Sequence, residues 1–234
     1  VEQCDPSLPK IQALVLVPTR ELAIQVAGVT EAMASPHRLR VTLLYGGRSL
    51  VPERSALRRG AHIIIGTPGR TLDHLRQGDL KLESVQFLVL DEADEMLDMG
   101  FRDDLEYILG AAPKDLHTLM HATTVLRTIP TLAKRSQRDA VRISTQAEQS
   151  QHVDIEYRAL MVAPNDRENA IINVLRYFEA QPALFFCGTR AAVNHMTARF
   201  NNRGFSVVAL SGELSQHERT QALQAMRNGR ARVC

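Results

Sequence analysis

The chain is predicted to fold as α/β in two lobes, each a parallel sheet with helices on both faces. Three observations carry this. Short apolar runs alternate with segments whose apolar residues recur at helical spacing. Apolar runs such as Val85-Gln86-Phe87-Leu88-Val89-Leu90, bounded by charge, read as parallel strands buried on both faces. The rhythm is interrupted by the polar, aperiodic stretch from Thr145 to Gln151 and then restarts. The boundaries that follow are 1–146 for the first lobe, 147–152 for a linker and 153–234 for the second.

Each element has its own signal. Ala13 to Val17 reads as the first strand, stopped by Pro18, and a helix follows from Glu21 to about Ala34 with Leu22, Val26, Val29 and Met33 on one face. Arg40 to Tyr45 is the second strand, closed by Gly46-Gly47; Pro52 opens a short helix to Arg59, and Gly60 ends it. His62 to Gly66 is the third strand, followed by the turn Thr67-Pro68-Gly69 and a helix to Gln77. After the strand ending at Leu90 come a helix from Phe101 to about Ala111, a strand near Thr118 to Met120, and a helix from about Thr128 to Arg135. Ala140 to Ser144 closes the lobe.

In the second lobe Tyr157 to Val162 reads as a strand, and Asn165 to Phe178 as a helix with Ile171, Val174, Leu175 and Phe178 on one face. Ala183 to Cys187 and Phe205 to Leu210 are strands separated by a helix from Ala191 to Asn202. Ser215 caps a helix to Arg227, and Arg230 to Cys234 begins one more strand.

Composition narrows the class. Hydrophobic residues make up 44% and charged residues 23% of the 234, ordinary for a globular chain. No apolar run reaches ~18 residues, so no membrane partner is expected. The start has neither a basic n-region nor an apolar core, and no Met, which reads as an internal piece of a longer protein. Cys4, Cys187 and Cys234 form no CxxC pair, pointing to a reduced, cytoplasmic setting. With a net charge of +2, no global basic field announces a nucleic acid, so local groups must do so. His62, His74, His117, His195 and His217 lack ligand spacing and read mostly as surface residues. Met96 and Met99 read as core filler, and Arg58-Arg59 as a solvated helix end.

The chemistry concentrates behind the fourth strand. Asp91-Glu92-Ala93-Asp94 stands at its carboxyl end, where open α/β sheets bind ligands. Carboxylates there suit a hydrated magnesium ion, and one can polarise an attacking water. The other reading is a helix start, with Asp91 to Asp94 ahead of Glu95-Met96-Leu97. Three more strand ends carry turns fit for anions: Pro18-Thr19-Arg20-Glu21, Gly46-Gly47-Arg48 and Thr67-Pro68-Gly69-Arg70. Helix-start amides, a guanidinium and glycine backbone can all approach a phosphate.

PTREL, GG, TPGR and DEAD, in this order and at these separations, resemble the first lobe of a DEAD-box ATP-dependent RNA helicase. Ala183 to Arg190 resembles the family's fourth motif, and Leu210 to Arg219 its later GxxxQxxR segment. The resemblance implies two RecA-like lobes, with ATP, Mg2+ and RNA as ligands and a monomeric parent enzyme. It implies that Asp91 holds magnesium through water, that Glu92 activates the water attacking the γ-phosphate, and that Asp94 couples this site to the third motif. Pro18, Thr19, Arg20, Glu21, Gly46, Gly47, Arg48, Thr67, Pro68, Gly69 and Arg70 would grip one RNA strand. Thr189, Arg190, Gly212, Gln216 and Arg219 would do so from the second lobe. Contacts to phosphate and 2′-hydroxyl groups imply recognition without sequence preference. The non-catalytic alternative is an RNA-binding module that retains these loops. An unrelated doubly wound metal site would leave PTREL, TPGR and QxxR unexplained.

The chain also departs from the family pattern. No G-x-x-x-x-G-K-[ST] phosphate loop occurs in these residues, and neither the glutamine motif nor the last two motifs are present, so both lobes read as incomplete. These residues alone are therefore expected to lack ATPase activity. The third motif, Ser-Ala-Thr in the family, becomes Ala122-Thr123-Thr124 in an ungapped reading, or His121-Ala122-Thr123 with a gap. Leu126 and Pro130 fit poorly in a segment that should start a helix. Without the phosphate-loop strand, Val85 to Leu90 is expected to have an unpaired edge, leaving the chain marginally stable or prone to aggregate.

Overall fold

A computed structural model describes residues 1–123, 140–143, 155–178 and 182–234. Two compact units divide the chain, Val1–Ile143 and Ser144–Cys234. The expected linker 147–152, the helix expected from Thr128 to Arg135, Leu126, Pro130 and Thr124 lie outside the described residues.

The first unit is built on five parallel strands: β1 Ala13–Leu16, β2 Val41–Leu44, β3 Ile63–Gly66, β4 Phe87–Leu90 and β5 His117–Met120, in the order β2-β3-β1-β4-β5. Its described helices are α1 Arg20–Ala34, α2 Val51–Arg58, α3 Pro68–Arg76, α4 Ala93–Asp98 and α5 Arg102–Ala111. Side chains alternate across a strand, so the strands feed two cores. Leu14, Leu16, Leu44, Ile64, Leu88 and Leu90 pack on one face with Met96, Leu105 and Ile108, and Val17, Ile63 and Ile65 pack on the other with Ala23, Ala27 and Ala34. Every β-to-α turn leaves from the same edge of the sheet, so the motif loops share that edge.

Several expectations need correction. The buried face of α1 is the alanine row; Val29 and Met33 are more than half exposed, and Leu22 and Val26 only flank the core. Small side chains let the helix backbone lie close to the sheet, which apolar periodicity alone does not reveal. β4 is paired on both sides, Ala13 to Leu16 matching Phe87 to Leu90 and these matching His117 to Met120. The edge strands of this sheet are β2 and β5, so the expected unpaired edge at Val85 to Leu90 does not exist. Met96 is core, whereas Met99 is exposed.

His62 and His74 are fully buried, against the surface reading; His117, His195 and His217 are exposed. The His62 Nδ1 accepts the Arg40 backbone N–H at 2.8 Å, so the ring sits neutral with its proton on Nε2. Burial, and then the Arg40 guanidinium, push its pKa below 6.5, with a Pro6 backbone contact and Asp5 opposing. A His lowered in the folded state contributes stability that is complete above the unfolded value and lost as pH falls below it. The urea midpoint of the first unit is expected to drop between pH 7.5 and 5.5, and His62→Gln to remove that part of the drop. An unchanged pH profile in His62→Gln would contradict this.

The second unit has α6 Arg167–Tyr177, α7 Arg190–Asn202 and α8 Gln216–Arg227 around a small core of Ile172, Met196, Phe200 and Val233. Its expected strands are reduced to single parallel bridges, Val233 pairing with Ala183 and with Val207. The Phe185 N–H donates to the Cys234 carbonyl at 2.7 Å and the Val208 N–H to the Val233 carbonyl at 2.9 Å, extending both pairings. Tyr157 to Val162 is not a strand: it has no regular structure, and Leu160 and Met161 are exposed. Its apolar run suits a strand, but among the described residues no extended neighbour pairs with it. Ala140 to Ile143 is likewise irregular and exposed. No described helix is long and apolar enough to cross a membrane.

Candidate functional site

At the carboxyl end of β4 the Asp91 N–H still donates to the Leu16 carbonyl, at 3.0 Å, so the acidic run leaves directly from the sheet. Glu92 then adopts a left-handed backbone, φ 50° and ψ 50°, which a residue with a Cβ seldom takes and which recurs at functional sites. This kink turns the chain into α4. The loop is locked to β5 from the other side: the His121 N–H donates to the Leu90 carbonyl at 2.8 Å, and the Ala93 N–H to the His121 carbonyl at 2.9 Å. The run is therefore a strand end that leads directly into a helix start, but no side chain caps α4, against the capping reading.

The electrostatics suit a cation. Asp94 is buried, and Asp91 accepts the Glu92 N–H at 3.1 Å with the His121 Nδ1 3.5 Å from the same oxygen. Burial first, and then Asp91, Glu95 and Asp94, push the Glu92 carboxyl above its ordinary value. A divalent cation would relieve that repulsion. Half-exposed carboxylates at a strand end are the hard oxygen donors a hydrated Mg2+ takes, so the residues present fit the ion. Ala122 and Thr123 follow His121 and are exposed.

The turns after β1, β2 and β3 lie on the same sheet edge. Thr19 caps α1, its Oγ1 accepting the Leu22 N–H at 3.3 Å, with Arg20 as the first helical residue. The Arg20 guanidinium lies against Gly47: a Cβ there would stand 2.5 Å from Nη1. Gly47 has φ +86°, so both conformation and contact call for glycine. Thus the first two loops meet. Pro18 and Thr67 are buried, and Pro68 opens α3. Gly69 lies at the α3–α5 contact, where a Cβ would stand 3.8 Å from Asp104 and 4.0 Å from Phe101. The Arg48 and Arg70 guanidinia do not face outward together; both bind Glu53, at 2.8 and 3.0 Å.

The second unit repeats the arrangement. Thr189 caps α7, accepting the Ala192 N–H at 3.1 Å, and Arg190 follows as its first residue. The Arg190 guanidinium passes Gly212, where a Cβ would stand 3.3 Å from Nη2, and reaches Glu213 at 3.5 Å. Gln216 opens α8 behind a capping box of Ser215 and Glu218, and the Arg219 Nη2 donates to the Ser211 carbonyl at 3.3 Å. In each unit, then, a Thr-Arg pair at a helix start rests on a glycine of a later loop.

Comparison with known proteins settles the family. The profile of the DEAD/DEAH box helicases matches residues 1–132. The chain belongs to the DEAD/DEAH box helicase family. Similar proteins include a probable ATP-dependent RNA helicase of Methanocaldococcus jannaschii, 37% identical over 95% of this chain and 59% of its own length. The ATP-dependent RNA helicase DeaD of Mycobacterium tuberculosis is 39% identical over 93% of this chain and 38% of its own. The helicase CshA of Bacillus licheniformis is 35% identical over the whole chain and 48% of its own length. A crystal structure of a DEAD-box protein from Methanococcus jannaschii matches with a TM-score of 0.58 and 36% identity, covering 99% of this chain and 62% of that one. This chain thus spans from over a third to about three-fifths of the proteins it matches.

Within this chain, two functional candidates carry little or no motif signal. His121 sits 3.5 Å from the Asp91 carboxylate, and only the gapped reading of the third motif placed it at the site. Glu53 carries no motif signal at all; its near-total burial inside a polar helix was the only clue, and burial of one residue is not legible in a sequence.

Proposed function

We propose that the polypeptide to which these residues belong is an ATP-dependent RNA helicase that couples ATP hydrolysis to local strand separation or RNA–protein remodelling. One observation carries the reading: in a chain of this family, the kinked acidic run Asp91 to Asp94 shares a sheet edge with Thr19-Arg20 and Gly46-Gly47. Magnesium-bound ATP supplies the phosphoryl group and its Lewis acid. Asp91 would hold that ion, and Glu92 would orient the attacking water and take its proton. Asp94, which is buried, couples this site to the third-motif segment through Ala122 and Thr123. Thr19, Arg20, the Gly46-Gly47 backbone and the amides around Thr67 to Gly69 bind the sugar-phosphate chain, with Thr189, Arg190, Gly212, Gln216 and Arg219 acting likewise from the second unit. Such contacts read RNA without sequence preference. The reduced thiols of Cys4, Cys187 and Cys234 suit a cytoplasmic enzyme.

The test is ATP turnover by a polypeptide joining these residues to a phosphate-binding loop, with and without single-stranded RNA. RNA is expected to raise kcat/KM, while the 234 residues alone turn over no ATP. Turnover indifferent to RNA would overturn the assignment.

A further inference from the structure

Glu53 is 2% exposed, yet its carboxylate gathers three cationic or ionisable side chains, Arg48 from the loop after β2 and Arg70 and His74 from α3. Its Oε1 accepts the Arg48 Nε–H at 2.8 Å and the Tyr45 backbone N–H at 3.3 Å. Its Oε2 accepts the Arg70 Nη1–H at 3.0 Å and the His74 Nε2–H at 2.8 Å. Arg70 is itself buried, and its Nη2 donates to the Arg48 carbonyl at 2.8 Å. Arg48 adds a bond to the Leu43 carbonyl at 2.7 Å and lies 3.9 Å over the Tyr45 ring. From the next position of α2, Arg54 reaches Asp79 at 2.6 Å and also bonds Gln77, so α2 is clamped to the far end of α3 as well.

A carboxylate this deep persists only when paired, and removing a partner leaves the others uncompensated. The bonds therefore act as a unit. They join the loop after β2, through Tyr45 and Arg48, to α3, the helix that follows β3, through Arg70 and His74. Arg20 rests on Gly47 within the first of these loops, so the same unit sets where Arg20 stands.

We propose that Glu53 is the positioning residue of the RNA-binding edge, and that Arg70 acts through it rather than on phosphate. The inference rests on the RNA reading of that edge, but the bond network can be tested apart from it. Glu53→Gln keeps the volume and turns an amide N–H toward the guanidinia. Amide hydrogen exchange is expected to quicken by about tenfold at Gly46 to Ser49 and at Gly69 to Thr71, and to stay unchanged at Asp91 to Ala93. Should Glu53→Gln fail to fold, Arg48→Ala, at a more exposed side chain, is expected to loosen Gly46 to Ser49 alone. Unchanged exchange at these loops would overturn the proposal.

The second readout is binding of a single-stranded oligouridylate to the 234-residue chain at several KCl concentrations. For a single strand, the salt slope falls by about 0.7 for every phosphate that a side chain ceases to neutralise. Arg70→Gln is expected to weaken binding with the slope unchanged, and Arg20→Gln to weaken it with the slope reduced by the equivalent of one phosphate. A reduced slope in Arg70→Gln would place that guanidinium on phosphate and overturn its role. A wild-type chain that binds no oligouridylate would instead remove the RNA reading, leaving the exchange data to decide the network.

Discussion

Glu92→Gln, made in a polypeptide that carries these residues behind a phosphate-binding loop, is expected to lower RNA-stimulated ATP turnover by about two to four powers of ten. The structure gives the reason. The left-handed turn at Glu92 projects a carboxylate from the sheet edge at the start of α4, and the bonds of Ala93 and His121 hold the turn in place. Its pKa is raised by burial and by three neighbouring carboxylates, which makes it a stronger base than a solvated glutamate. The amide retains shape and can still bond water, but it cannot accept the proton. ATP and RNA affinities are therefore expected to hold while kcat falls. A loss in kcat of only a few-fold, or an equal loss in affinity, would remove Glu92 from that role.

The second large effect is expected at Gly47. Gly47→Ala meets two obstacles at once, a backbone at φ +86° and a new Cβ 2.5 Å from the Arg20 Nη1. The backbone term costs about 1 kcal/mol of stability in the first unit. The clash is with the end of a flexible side chain, so Arg20 moves and the fold survives. The principal loss is then in RNA affinity, about tenfold if one charge-assisted bond is broken. Gly46→Ala is the control, because a Cβ there would stand 3.9 Å from Arg20 and its φ is not positive. Equal RNA affinity in Gly47→Ala and wild type would show that the Arg20–Gly47 contact has no part in binding.

Much of this architecture can be read from the residues. Ile63-Ile64-Ile65 and Phe87 to Leu90 are apolar without alternation because both faces of their sheet are covered, and β3 and β4 are found there. Pro18, Gly46-Gly47 and Thr67-Pro68 mark where strands stop, and the motif loops share one edge because every strand is parallel. What the sequence hides depends on neighbours. The alanine row of α1 is buried because the helix lies close to the sheet, while the larger Val29 and Met33 face out. Strand order is set by pairing, so an unpaired edge is easily assigned to the wrong strand, as between β4 and β5. Glu53 looks like any polar residue of α2 until Arg48, Arg70 and His74 converge on it. Tyr157 to Val162 has a strand's apolar run, but a strand also needs a partner.

The most direct test of the central claim is titration of the 234-residue chain with single-stranded oligouridylate across a range of KCl concentrations, without nucleotide. The expected result is saturable binding whose logarithm falls linearly with log salt, with a shallower slope in Arg20→Gln and a weaker affinity in Gly47→Ala. Absence of saturable binding at low salt, or a slope untouched by Arg20→Gln, would contradict an RNA-gripping edge built from these loops.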